Sequence, residues 1–149
     1  MTKSQPISHS LRAWMDVFMH RSMRGWTHFA KSTGLSMAQF SILTQLHHKG
    51  PCGMSEISER FDVTPAAASQ LVDKLVQSGY LERDEDPSDR RAKLLKLSPN
   101  GIKLVNEGIN ERYRWMDEIT KNLSADEQKK IIEALDILTN AAKRIENRE

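Results

Sequence analysis

The residues whose types and spacing could do chemistry crowd into one stretch, from Thr64 to Lys93. Thr64 followed by Pro65 reads as a helix N-cap and a first-turn proline, because a threonine hydroxyl accepts from a free backbone N–H and proline has none to satisfy. The helix they open buries Ala68, Leu71, Val72 and Leu75 and turns Ala66, Ala67, Ser69, Gln70 and Lys74 to the opposite side. Gln70 carries an amide that can pair bidentately with an adenine edge. Small Ala66 and Ala67 permit close approach to another surface, although an alanine run is equally explained by helix propensity and tight internal packing. Gly79 closes the helix.

An extended run at Tyr80, Leu81 and Arg83 follows, then a polar loop from Asp84 to Lys93, after which Leu95 and Leu97 resume an alternation of two. Asp86-Pro87 and Ser88-Asp89 supply turn chemistry, and Arg90, Arg91 and Lys93 cluster in the loop. Such guanidinium groups are long enough to enter a minor groove or clamp phosphates, while an isolated loop of this composition would equally be a solvated turn. Joined to the helix before it, the loop has the layout of a winged helix that binds DNA.

Other chemistry is thin. No G-x-S-x-G, P-loop, dinucleotide fingerprint or H-E-x-x-H occurs, so the sequence predicts a protein that is not an enzyme and needs no cofactor. His20, His28, His47 and His48 leave a metal-responsive regulator as an alternative, but they lack i, i+4 ligand spacing and a flanking Cys, so no metal site is expected. The single Cys52 cannot form an intramolecular disulfide, and with Lys49 as its nearest cation in sequence it is a poor candidate for thiolate activation.

Elements must hold the Thr64–Lys93 stretch in place, and helix signals dominate the rest of the 149 residues. Leu11, Trp14, Met15, Phe18, Met23, Trp26 and Phe29 predict a first helix over Ser8 to Ser32, ended by Gly34. Ser36 and Gln39 have capping-box spacing and open a second helix carrying Phe40, Leu43 and Leu46, stopped by Gly50 and Pro51. A short third helix spans Met54 to Phe61. With the Asp62-Val63-Thr64 connection, it and the Thr64 helix make a helix-turn-helix. Ser98 and Pro99 then start a long helix with Ile102, Val105, Ile109, Met116, Ile119 and Leu123 near heptad spacing. Ser124 and Glu127 cap a last helix with Ile131, Leu135, Leu138, Ala142 and Ile145 along one side. So much apolar helix exceeds what a small winged domain can cover, so the stripes are expected to meet those of a second copy in a homodimer.

Net charge is only +2, unevenly spread. Residues 1–50 carry six Lys/Arg against one acid, whereas residues 51–97 carry seven against nine, so the proposed reader is acidic in sum. Binding there depends on where a few cations point, not on a smooth basic patch. No run approaches the roughly 20 apolar residues of a membrane span, and Met1 to Ser10 lacks a signal-peptide core, which predicts a cytoplasmic protein.

The stretch from Ser78 to Gly101, SGYLERDEDPSDRRAKLLKLSPNG, resembles the wing signature of MarR-family regulators. Asp89 and Arg91 occupy the family's Asp-X-Arg element, followed by Leu95, Leu97, Ser98 and Gly101. The resemblance extends more loosely over the chain. It implies a mainly α fold with a small β-wing, a single domain over 1–149 with dimerisation helices at 8–33 and 98–146 and a winged helix-turn-helix part at 36–97. It further implies an obligate dimer, palindromic DNA sites and release of a repressor by a small ligand. Gln70 departs from the basic residue often found there. Reactive family members carry a sensing Cys in the first helix, where this chain has none.

The candidate DNA-binding residues are therefore Thr64, Pro65, Ala66, Ala67, Ser69, Gln70, Lys74, Arg83, Asp89, Arg90, Arg91 and Lys93. Trp14, Met15, Phe18, Met19, Met23 and Trp26 could line a cleft for an apolar or aromatic effector, or serve core and dimer packing. A winged helix that binds protein partners is the main alternative without DNA.

Overall fold

A computed structural model describes residues 6–88 and 93–146. The chain forms two compact units, residues 1–113 and 114–149. In the first, α1 (Ile7–Ser32) and α2 (Met37–Lys49) precede a two-residue strand β1 (Cys52–Gly53), then α3 (Met54–Arg60) and α4 (Pro65–Gln77). Strands β2 (Leu81–Glu85) and β3 (Lys93–Leu97) lead into α5 (Pro99–Thr120), which runs across the boundary between the units. The second unit contains the end of α5 and α6 (Ala125–Glu146).

Caps set these boundaries. Ser36 accepts from the Gln39 N–H while the Gln39 side chain accepts from the Ser36 N–H, the reciprocal box expected from the spacing. Thr64 caps α4 through the Ala67 N–H at 3.2 Å. Beyond α4, Gly79 adopts a positive φ of 76°, and the Tyr80 N–H reaches back to the Leu75 carbonyl, which closes a Schellman turn. The turn between α3 and α4 uses the same geometry without a glycine. Asp62 takes φ 49° and the Val63 N–H donates to the Ser58 carbonyl. Aspartate is one of the few side chains that enters this region readily, which is why no glycine marks the turn in the sequence.

Phe40, Ile42, Leu43, Ile57, Val72, Leu75 and Val105 are fully buried and form one core with Ala68, Leu81 and Leu95. Each such large side chain contributes about 1.5–3 kcal/mol of burial. Trp26 and Phe29 pack on Phe40, with ring centroids 4.6 and 5.8 Å away. This core presses α4 against α2 and the sheet, leaving its other side free.

The sheet order is β1-β3-β2, all antiparallel. One feature departs from the sequence reading. The polar stretch beginning at Asp84 is not all loop, because Asp84 and Glu85 pair with Leu94 and Lys93 and lengthen the hairpin. Opposite charges across the ladder favour that extension, with Lys96 2.8 Å from Asp84 and Lys93 3.6 Å from Glu85. On α5 the expected stripe divides: Val105 is buried and Ile109 packs against the core, Ile102 is 44% exposed in the single chain, and Gly101, Leu104 and Gly108 complete the buried side. Glycine permits that close packing. A Cβ on Gly101 would lie 2.1 Å from the Tyr80 carbonyl oxygen, and one on Gly108 would lie 2.6 Å from Phe40 Cζ.

In the second unit, Ser124 and Glu127 form the expected cap, the Glu127 N–H donating to Ser124 Oγ at 3.3 Å. Hydrogen bonds from the Ser124 N–H and hydroxyl hold the Glu127 carboxyl below the usual carboxylate range. Ile131, Leu135 and Ile145 on α6 are 42%, 49% and 65% exposed in the single chain.

Candidate nucleic-acid interface

The core residues of α4 fix which side chains remain outside. Ala68, Val72 and Leu75 point inward, so Thr64, Pro65, Ala66, Gln70 and Lys74 are exposed, with Ala67 and Ser69 partly so. This is the face expected from the spacing. It holds one more member that the sequence reading passed over. Asp73 lies three residues beyond Gln70 and seven beyond Ala66, which puts it on the same side of the helix. Spacing alone could have found it.

Arg83 stands on β2 two residues after buried Leu81 and therefore on the same side of the strand. Its guanidinium donates to the Asp73 carboxylate, an ion pair between wing strand and helix with the two side chains 39% and 46% exposed. Lys93, another candidate cation, sits near Glu85 at the outer end of the ladder. On the opposite side of β2, Glu82 and Asp84 flank Lys96. The Lys96 hydrogen bond is the main reason the Asp84 carboxyl is held below its ordinary range, and the same contact raises the Lys96 ammonium. The body of the hairpin thus satisfies its charges internally. Asp89, Arg90 and Arg91 lie outside the described residues.

Ser98 joins the base of the wing to α5. Its hydroxyl donates to the Gly79 carbonyl at 2.6 Å and accepts from the Gly101 N–H at 3.0 Å, while its own N–H donates to the Tyr80 carbonyl at 3.0 Å. One buried serine thereby ties the end of α4, the end of β3 and the start of α5.

Met23 and Trp26 line a cavity of about 380 Å³ with Thr44, Gln45, Phe61 and Arg112. Of the residues expected to form an effector cleft, these two reach it. Trp14, Met15 and Met19 are 44–48% exposed on α1 and are absent from its lining. Arg112, not anticipated from the sequence, carries its guanidinium 5.6 Å from the Trp26 ring, and its buried Nε has no hydrogen-bond acceptor among the described residues. Cys52 is 2% exposed, and burial, aided by Glu56 and opposed by Arg60, pushes its thiol upward. Among the described residues no three His, Cys, Asp or Glu are grouped to hold a metal ion, and no helix is long and apolar enough to cross a membrane.

Residues 35–93 match the model of the MarR family. The HTH-type transcriptional regulator MhqR of Bacillus subtilis (strain 168) is 30% identical over 115 residues, covering 77% of this chain and 79% of that protein. The solved structure of transcriptional regulator Tm0710 from Thermotoga maritima has a TM-score of 0.81 at 27% identity, over 98% of this chain and all of that one. A mutant MarR from E. coli, crystallised with operator DNA, shares the fold at TM-score 0.55 and 24% identity, over 87% of this chain and 93% of that one.

Proposed function

Since the chain belongs to the MarR family of DNA-binding transcriptional regulators, we propose that it is a cytoplasmic repressor that reads an inverted-repeat operator as a homodimer and is released by a small effector. The observation that carries this reading is α4: a capped helix whose buried side is locked to the core and whose outer side offers Ala66, Ser69, Gln70 and Lys74 beside a β-hairpin. Small side chains near the N-terminus let the backbone approach a major groove. Thr64, Pro65 and Ala67 belong to that end. The operator complex of the E. coli relative supports DNA as the partner. Asp89, Arg90, Arg91 and Lys93 supply the wing contacts in this reading.

Dimerisation is supported by apolar side chains that one chain leaves in water. Trp14, Met15, Val17 and Met19 on α1, and Ile131, Ile132, Leu135 and Ile137 on α6, are each at least 42% exposed. Burial of such surfaces between two copies would place two recognition helices about one DNA turn, roughly 34 Å, apart. The cavity beside Trp26 has the size of a small-molecule site, and Met23, Trp26 and Phe61 among its otherwise polar walls would suit an apolar or aromatic effector.

Selection of bound fragments from genomic DNA tests the reading directly. The expected product is a set sharing an inverted repeat, with light scattering giving twice the 17.0 kDa chain mass. Gln70→Ala should relax preference at one base pair per half-site, a loss of about 1–3 kcal/mol of discrimination. A uniform loss over all sequences would refute the base-reading role of Gln70, and a monomer without selected fragments would refute the whole proposal.

A further inference from the structure

We propose that Asp73 and Arg83 act as one unit at the DNA-facing surface, with Arg83 masking the charge of Asp73 instead of gripping a phosphate. The inference rests on the DNA-binding reading above. Asp73 shares the outer side of α4 with Ala66 and Gln70. A bare carboxylate there would face a duplex with one negative charge per roughly 1.7 Å of its axis, at the point where the helix must come closest. Arg83 removes that conflict. Its guanidinium reaches from β2 to the Asp73 carboxylate, and both side chains keep enough exposure to be felt by an approaching duplex.

The contact also joins two parts with different tasks. Helix α4 carries the base-reading side chains, and β2 is the first strand of the wing. Arg83 lies opposite Leu95 in the hairpin, so the strand itself is anchored by a buried neighbour, while the planar fork of the guanidinium fixes how it meets the helix. The charge of Arg83 is thereby spent on a carboxylate of the protein, leaving the pair neutral towards DNA.

The test is a double-mutant cycle on the selected operator, with affinity measured against salt for the wild type, Arg83→Ala, Asp73→Asn, the double variant and Arg83→Lys. Arg83→Ala should weaken binding by about tenfold, the order of one unscreened like charge beside the duplex. Asp73→Asn should bind several-fold more tightly, with the salt slope steeper by about one. The double variant should return to within about threefold of the wild type and keep its slope, and Arg83→Lys should keep the slope as well. A double variant as weak as Arg83→Ala, with a slope shallower by about one, would make Arg83 a phosphate contact and overturn the inference. Loss of preference at a single cytosine in Asp73→Asn would overturn it too, by making Asp73 a base reader. A purely structural bridge would lower melting temperature without moving the slope, which is the third refuting result. Failure of the wild type to select any DNA would instead strike the underlying reading and take the inference with it.

Discussion

Replacing Ser98 with alanine removes one hydroxyl that serves two partners. The Gly101 N–H loses the N-cap acceptor of α5 at 3.0 Å, and the Gly79 carbonyl loses a donor at 2.6 Å. Loss of an N-cap costs about 1 kcal/mol. A stranded carbonyl adds about 1–3 kcal/mol when water cannot reach it. Gly79 is exposed, so water recovers part of the second cost, whereas the Gly101 N–H lies in a buried residue and recovers little. The sum is about 2 kcal/mol, which for a chain of this size corresponds to a fall of about 4–8 °C in Tm. Ser124→Ala provides the control, because that cap is exposed and its own N–H can still donate to Glu127. Its expected cost is about 0.5 kcal/mol, near the low end for caps. Both variants should be melted by circular dichroism at one protein concentration, since dimerisation makes Tm depend on it. A shift for Ser98→Ala no larger than that for Ser124→Ala would refute the argument that one buried serine ties wing and helix.

Three further outcomes are expected. Gly101→Ala should destabilise more than Gly108→Ala in urea unfolding, despite the helix preference for alanine, because the first clash, at 2.1 Å, is with the Tyr80 backbone and the second, at 2.6 Å, with the end of the Phe40 side chain. Overpacking at Gly108 should cost about 1–3 kcal/mol; a gain of stability at Gly101 would contradict the packing. Cys52 in the folded protein should react with a thiol reagent at pH 8 much more slowly than in urea, since burial both hides it and raises its thiol; equal rates would refute this. In the wing, replacing with alanine whichever of Arg90 and Arg91 projects from the tip should lower the salt slope of DNA binding by about one. Asp89→Ala should weaken binding although it removes a negative charge, because its carboxylate is expected to hold one of the two guanidiniums. Tighter binding by Asp89→Ala with no loss in either Arg variant would mean the loop is only a solvated turn.

Local chemistry was sufficient wherever a structural feature is local. Ser36, Thr64 and Ser124 each cap within three residues of themselves, and apolar spacing on α4 separates buried Val72 and Leu75 from exposed Gln70 and Lys74. The helix order, the hairpin and the exposed side of α4 follow from such short-range rules. What depended on partners distant in the chain could not be read that way. How closely α5 packs is set by Tyr80 and Phe40, far from Gly101 and Gly108 in the chain but against them in the fold. Arg83 looked like a free cation for DNA in a one-dimensional list of charges. Only the fold brings Asp73, ten positions earlier, onto its guanidinium, because a helix face and a strand face meet across the hairpin. Sequence thus determined which elements form and which sides they bury, through interactions spanning a turn or two; tertiary packing decided which charges remain available, since that depends on which surfaces come together.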